Sequence, residues 1–465
     1  MSDTGVAAAR RGPARCPSGT VLRSPQLSSA EVTGPATSPS KAVKAPGRSA
    51  LIAMSGIVFA LSAPGQTAGI SVFVDYIIAD LDVSRSAVSA AYMVGTLSGA
   101  LALPWIGRAV DRFGVRRVLT LVALGFGAFL TVLALAQELV GLTVGFVGAR
   151  ALGQGGMTMI ATTAVGIAVT RKRGTALGIT SAVGTAGISL FPLLSERMVA
   201  EIGWRWTFLA EAGTIWLVVV PVAWWGMRGV RRSVAAAPHE GTASQQTETA
   251  ADTAGNEPAD NPWPLRLVLR TSMFWVISSA VACSGLVATA VFFHQIAVLG
   301  EQGLSTTEAA ANFLPQTLAG LVASLLFSSA ADRFSPKLLI CGVMALHAAT
   351  LALLPLVSPG VTAVAYGASL GGAAAGARAV EAAAFPYYYG TAILGTLRGL
   401  TQTIAVAATA VGPLLLSAGY DLTGSYMPPV LALAVLPAII AVAAPLARRP
   451  TTPGARPRGR PPVVE

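Results

Sequence analysis

The second half of the chain repeats the first at one displacement, and the repeat lies among long apolar runs. A shift of 221 residues, 332 minus 111, carries Asp111-Arg112-Phe113 onto Asp332-Arg333-Phe334. The same shift carries Gly174-Thr175 and Gly178 onto Gly395-Thr396 and Gly399, and Pro192-Leu193-Leu194 onto Pro413-Leu414-Leu415. It also carries Ser84 onto Ser305 and Gly203 onto Gly424. A single gap-free shift over this distance marks a duplicated structural unit. In membrane proteins such a duplication places a solute site near the bilayer midplane, between two halves that rock, so the repeat points to a transporter.

Composition agrees: 53% of the 465 residues are hydrophobic and only 11% are charged, with a mean hydropathy of +0.64. A soluble chain of this length needs far more charge to cover its surface. The net charge of +11 raises the question of nucleic acid. The basic residues, however, sit at the ends of apolar runs and in the two tails, which is topological information and not a binding stripe. Cys16, Cys283 and Cys341 lie far apart without metal-ligand spacing, so neither disulfides nor a metal is expected to organise the fold. There is no G-x4-G-K-[ST] run for a nucleotide and no nucleophile–base cluster, so neither an enzyme nor a cofactor is expected.

A membrane-spanning helix takes about 20 apolar residues. On that basis residues 49–228 form a first six-helix half, with spans near 49–73, 86–106, 117–137, 141–170, 174–195 and 207–227. Residues 269–447 form a second half, with spans near 272–297, 309–331, 338–357, 361–384, 399–418 and 427–446. The predicted fold is an all-α polytopic membrane protein, twelve transmembrane helices in two pseudo-symmetric six-helix halves. Residues 229–268 read as a flexible cytoplasmic linker without a fold of its own, and 1–48 and 448–465 as cytoplasmic tails. Arg10-Arg11 resembles a twin-arginine start, but no short apolar core and cleavage site follow it. Loop charge sets the orientation. Alternate connections hold Arg108, Arg112, Arg116 and Arg117, then Arg171, Lys172 and Arg173, then Arg228, Arg231 and Arg232, and further on Arg333, Lys337, Arg398, Arg448 and Arg449. The others hold Asp75, Asp80, Asp82, Glu138, Glu196, Glu201, Glu301 and Asp421 with only Arg85, Arg197 and Arg205. Both termini are therefore expected on the cytoplasmic side of the cell membrane.

The segment Gly107-Arg108-Ala109-Val110-Asp111-Arg112-Phe113-Gly114-Val115-Arg116-Arg117, between the second and third spans, resembles the loop motif G-x3-D-R-x-G-x-R-[RK] of the major facilitator superfamily. A degenerate copy, Ser328, Asp332, Arg333 and Lys337, stands where that family has one. The resemblance covers roughly 49–446 and implies a gate in which Gly107, Asp111, Arg112, Gly114 and Arg116, echoed by Asp332 and Arg333, hold the cytoplasmic seam of one conformation. The plainer alternative is that these charges only obey the positive-inside rule. Arg150-Ala151-Leu152-Gly153-Gln154-Gly155 resembles the family's R-x2-Q-G element, with the glutamine one residue further on. Arg173-Gly174-Thr175-Ala176-Leu177-Gly178 and Gly203-Trp204-Arg205 match other family patterns. The fifth span lacks the Gly-Pro and paired glycines of the drug antiporters. Several stretches instead resemble the monocarboxylate porter and oxalate/formate antiporter branch. These are Gly65–Phe73, Ser84-Arg85-Ser86, Ala91–Thr96, Gly303-Leu304-Ser305 and Gly424-Ser425-Tyr426.

An ionisable side chain inside hydrocarbon costs at least about 2.5–3.5 kcal/mol, so the few present carry functional information. They are Arg150, Glu211, His294, His347, Arg378 and Glu381. Arg150 fits three roles: holding an anionic solute, making an interhelical structural contact, or serving an outer gate. Arg378 and Glu381, three apart, either neutralise each other or act as an inner gate. His294 is a candidate for ligand or proton binding, against a packed neutral histidine. Gln66, Gln154, Asn312, Gln316 and Gln402 complete the candidate substrate cavity, Gln66 just after a Pro64-Gly65 break. The leading expectation is a monomeric secondary transporter of a small, anionic or zwitterionic organic solute, with a coupled proton or counter-substrate. Efflux of a drug or secondary metabolite is the alternative, and a non-transporting receptor or membrane enzyme a remote one.

Overall fold

The computed structural model describes residues 47–169, 173–228, 230, 263–390, 393–448 and 450. The expectations for residues 1–46, 231–262 and 451–465 fall outside the described residues. Among the described residues there is no strand, and twelve helical spans account for most of them.

In the first half, α1 is broken into Arg48–Ala60, Ala63–Gly65, Thr67–Ser71 and Val74–Leu81. Pro64 lacks the N–H that a continuous helix needs. Gln66 then swings into an extended conformation (φ −82°, ψ 156°) before the helix restarts. α2 spans Arg85–Phe113, α3 Val115–Leu135, and α5 Arg173–Ile202. α4 comprises Leu139–Gly148, a wide π-helical stretch Ala149–Met157, and Thr158–Ala168. α6 starts at Trp204–Thr214 and continues through the wide turns Ile215–Val219 and Val222–Gly226. In the second half, α7 is Ser272–Phe293 continued by Gln295–Gly300, and α8 is Thr306–Ala311 with Phe313–Ala330. α9 is Pro336–Ala352, α10 Val361–Tyr389, α11 Leu394–Thr423 and α12 Met427–Leu446. Nine helices among the described residues are long and apolar enough to cross a membrane. α9, at 17 residues, α10 and the three-part α4 complete the twelve.

The repeat is visible in the packing. α1 lies against α5, α2 against α4 and α3 against α6; in the second half α7 lies against α11, α8 against α10 and α9 against α12. Repeat positions also share local geometry. Ser84 caps α2 by accepting from the Ala87 N–H, and Ser305 caps α8 in a reciprocal capping box with Glu308. Gly203 and Gly424, each just before a new span, both take positive φ (80° and 72°). The break in α1 at Phe73 falls on the break in α7 at His294, 294 minus 221.

Several boundaries differ from the sequence expectation, two of them at the motif and the linker. The motif segment does not lie in a connection: α2 runs on through Asp111 and Arg112 to Phe113, leaving Gly114 (φ 82°) as its C-cap. Nothing between Ala102 and Phe113 breaks a helix except Pro104, which is tolerated where neighbouring groups satisfy the freed carbonyl. The stretch assigned to the linker also ends early. Leu265–Val268 forms a helical turn, and Trp263 packs edge-on to Tyr389 at 5.3 Å. Its apolar side chains gain more from burial at the end of α10 than from exposure.

The exterior carries a broad apolar surface, with Leu101, Leu217 and Leu446 each about three-quarters exposed, as a lipid-facing belt requires.

Candidate functional site

The first cluster forms where the break in α1 meets the wide turn of α4. Close approach requires glycine at position 65. A Cβ there would stand 2.9 Å from Gln154 N and 3.0 Å from Gly153 Cα, and would also collide with the Ala149 carbonyl. The backbone of α1 thus touches that of α4, and the Gly65 carbonyl, freed by the break, points to the Arg150 guanidinium. Arg150 Nη1 donates to Gly65 O at 3.1 Å and lies 3.5 Å from Thr67 Oγ1, while Nε donates to Thr96 Oγ1 at 3.1 Å. Its guanidinium carbon sits 4.6 Å from the centre of the Tyr92 ring. Tyr92 in turn packs on Phe293 of α7 in the other half, 4.4 Å between ring centres. Arg150 is only 3% exposed. Among the described residues the ion pairs are Arg85–Asp75, Arg205–Asp80 and Arg398–Glu381, and none involves Arg150. A buried cation is therefore held by neutral oxygens and one aromatic face. Gln154, on the same wide turn, and Gln66, which donates to Ser62 Oγ at 3.1 Å, are half-buried beside it. Gln66, Arg150 and Gln154 thus come together.

Gln154's late position also has a structural account. A π turn closes i→i+5 bonds and uses one more residue per turn than an α-helix. A glutamine four residues after Arg150 on such a turn returns to the face that three residues reach in an α-helix.

Asn312 and Gln316 occupy a second cluster. Asn312 Nδ2 donates to Ala363 O at 2.7 Å, and Gln316 Nε2 donates to Gln295 Oε1 at 2.7 Å and to Asn312 Oδ1 at 3.2 Å. Gln295 passes the chain on to Ala309 O at 2.9 Å. The cluster joins α7, α8 and α10, and Gly371 allows it: a Cβ there would lie 2.6 Å from Gln316 Cα. Gly371 is the repeat partner of Arg150, 371 minus 221. Equivalent places thus hold a charged arginine in one half and neutral amides in the other. Gln402 is half-buried on α11.

The halves are joined at the end carrying Asp75, Glu196, Glu301 and Asp421, which we call the acidic end. There Arg85 pairs with Asp75 and donates to Tyr426 Oη at 3.2 Å, and Ser86 donates to Asp421. Tyr426 Oη is 3.0 Å from His294 Nδ1, and His294 Nε2 is 3.0 Å from Pro413 O and 3.5 Å from Ser89 Oγ. On the other side of the bundle Glu196, 4% exposed, accepts from Thr306 (2.6 Å) and Thr307 (2.8 Å), and Ser189 bonds Thr317. Among the described residues the side-chain hydrogen bonds between the halves lie at this end and form its seal, except Ser189–Thr317, which sits about 20 Å in from the Ile202 end of α5. His294 accordingly lies inside the seal, 2% exposed, and not on an open cavity wall.

At the opposite, basic end, three arginines of the motif segment rest on aromatic rings of their own half. Arg116 lies 4.0 Å over the Trp224 ring of α6, Arg108 lies 4.2 Å over Trp105 and Arg112 lies 5.3 Å over Phe113. A Cβ at Gly107 would meet nothing within 4 Å. Asp111, Asp332 and Arg333 are exposed on the helix ends. Glu381 finds a cation at 4.0 Å, but it is Arg398 of α11; Arg378, the neighbour that the spacing suggested, is exposed. Glu211 accepts from Ser195 Oγ at 3.0 Å and His347 approaches Ser284 Oγ at 3.4 Å, each within its own half.

The sequence reading missed Arg85, Glu196 and Tyr426 as sealing residues. Arg85 and Tyr426 lie in stretches quoted for their family resemblance, yet no pattern links side chains 341 positions apart.

Two repeated six-helix halves, joined toward one end and each holding a buried polar cluster, one around an arginine and one of amides, define a membrane transporter. The chain belongs to the Major Facilitator Superfamily, whose profile matches residues 54–413. Two solved structures share the fold. One is a bacterial homologue of the human lysosomal transporter Spinster, inward-facing and unoccupied, with a TM-score of 0.62 at 16% identity over 86% of this chain and 96% of that one. The other, also a bacterial Spinster homologue, is inward-facing and occupied, with a TM-score of 0.63 at 17% identity over the same shares. No curated protein matches the chain.

Proposed function

We propose that the protein is a secondary transporter that carries a small organic anion, carboxylate-like in chemistry, across the cell membrane by alternating access. The observation that carries this reading is Arg150: a guanidinium buried against neutral partners at the α1 break, one aromatic ring away from the opposite half. Burying a cation without a counter-ion costs several kcal/mol, and an arriving carboxylate offsets that cost through paired N–H donors. The hydroxyls of Thr67 and Thr96 lie at the same point, and Gln66 and Gln154, on the α1 break and the wide turn, supply directional contacts for the rest of the solute. The resemblance to monocarboxylate and oxalate/formate carriers agrees with this chemistry.

In this reading the acidic end faces outward, both termini are cytoplasmic, and the state described is sealed outside. Solute binds from the basic end. The seal then parts while Gly107, Asp111, Arg112, Gly114 and Arg116 close the basic end against the second half, with Asp332 and Arg333 as the weaker counterpart. A solute drives this exchange only as far as it binds the two states unequally. The protein acts as a monomer, because both halves of the seam are within one chain.

The test is a ligand panel against the purified full chain, read as thermal stabilisation, since anything that binds the folded state raises its melting temperature. Mono- and dicarboxylates should stabilise, and their amides should not. Stabilisation by lipophilic cations alone would overturn the reading in favour of drug efflux.

A further inference from the structure

At the acidic end one chain of hydrogen bonds crosses between the halves through an imidazole. Its polarity is fixed by chemistry. The Pro413 carbonyl can only accept, so His294 Nε2, 3.0 Å away, carries a hydrogen. In the neutral ring Nδ1 then holds a lone pair and takes the Tyr426 hydroxyl hydrogen across 3.0 Å. The Tyr426 oxygen is left to accept from Arg85 across 3.2 Å. Each link faces the correct way only while the imidazole is neutral.

A second proton, on Nδ1, sets N–H against O–H. Tyr426, 1% exposed, loses its acceptor, and a new cation appears in the site that already holds Arg85. The charged and titratable groups around it are Arg85 of α2, Asp75 of α1, Tyr420 and Asp421 of α11, and Glu301 beyond α7. Asp75 is engaged by Arg85, Asp421 by Ser86, and Glu301 by the Tyr426 N–H at 2.9 Å and Ser425 Oγ at 2.8 Å. The repeat places Phe73 at the equivalent break of α1, so the titratable group is a feature of one half only.

We propose that His294 is the binding site of a coupled proton, and that protonation of Nδ1 releases the acidic-end seal. The neutral imidazole latches α7, α11 and the α11–α12 turn onto α2; the imidazolium unlatches them. This rests on the alternating-access reading above and names the ion that drives it.

The test follows the seal itself, without solute. Spin labels are placed at Glu201 and Leu422, exposed on opposite halves at the acidic end, in full-length protein whose Cys16, Cys283 and Cys341 are replaced. The distance distribution is measured in lipid nanodiscs from about pH 8 to about pH 3.5, a range that covers the interval in which an exposed histidine titrates and extends below it. The wild type should move from a short to a long distance as pH falls, and His294→Gln should abolish that step. Tyr426→Phe removes the hydrogen bond that favours the neutral ring. Its midpoint should therefore move to higher pH, by up to about one unit, tenfold in proton affinity. A wild-type distance that ignores pH, or a full response retained in His294→Gln, overturns the proposal. If His294→Gln shows no melting transition, Tyr426→Phe decides alone, and an unshifted midpoint overturns it. Because no solute is present, these outcomes stand apart from those of the carboxylate panel: a seal that titrates through His294 in a protein that binds no anion removes only the solute reading.

Discussion

Replacing Arg150 by glutamine and by lysine separates the roles open to it, because the structure assigns its bonds. The guanidinium donates to the Gly65 carbonyl and the Thr96 hydroxyl, lies near the Thr67 hydroxyl and rests on the Tyr92 ring. Glutamine removes the charge and cannot reach acceptors on both α1 and α2. An orphaned buried carbonyl costs about 1–3 kcal/mol, but relief of an unpaired buried cation returns a similar amount. The ligand-free protein should thus change little in melting temperature. Anion binding should lose far more, on the order of 2–5 kcal/mol, the range for removing one partner of a desolvated charge pair. That is roughly 30-fold to several thousand-fold in affinity. Lysine keeps the charge but offers a point donor where a fork is needed, so it should recover only part of the loss. Titration calorimetry with the best ligand of the carboxylate panel, alongside melting curves, reads both quantities. Binding that survives intact in both variants would refute the reasoning, and so would a collapse in stability with normal binding by the remaining folded protein.

Asp111→Ala should leave melting temperature and membrane level near wild type while slowing uptake into proteoliposomes strongly, since its role is placed in the other conformation. Asp332→Ala should slow it less, because Ser328 and Ser335 replace the glycines of the first copy; equal, wild-type rates in both would remove the gate. Gly65→Ala puts a methyl group against backbone of α4 that cannot yield, and overpacking of this kind costs about 1–3 kcal/mol. It should lower the melting temperature and anion affinity together, whereas Gly213→Ala, with nothing within 4 Å of its Cβ, should do neither. A cysteine at Ser244 should resist an impermeant thiol reagent added outside intact cells, and labelling there would reverse the proposed orientation.

Much of the architecture was legible because it rests on signals that a single sequence carries. Apolar run length gave the spans, the 221-residue shift gave the two halves, and the repeated Ser84/Ser305 and Gly203/Gly424 positions marked the same turns twice. The site was legible in part. Gln66, Arg150 and Gln154 come together because a helix break and glycines around it announce a close approach. Asn312 and Gln316 were visible as polar residues in an apolar run, but their partner Gln295 and the role of Gly371 depend on packing between α7, α8 and α10. Arg85 and Tyr426 were hidden for a further reason. Charges at helix ends normally report orientation, and nothing local distinguishes one that reaches across to the other half.

The wide turn at Ala149–Met157 has a consequence for how this helix tolerates changes in length. One residue inserted into an ordinary membrane helix turns everything after it by about 100°, moving lipid-facing side chains inward. In α4 the surplus is confined to a stretch containing Gly153, Gly155 and Gly156, and regular helix resumes at Thr158. Removing one residue there, such as Ala151, would tighten the turn and leave Thr158–Ala168 facing as before, whereas the same deletion in α3 would rotate half of a span. Fixed-spacing searches for the arginine–glutamine pair pass over such a chain, although both residues lie on the same wide turn. Length, at this one place in the bundle, is a local quantity.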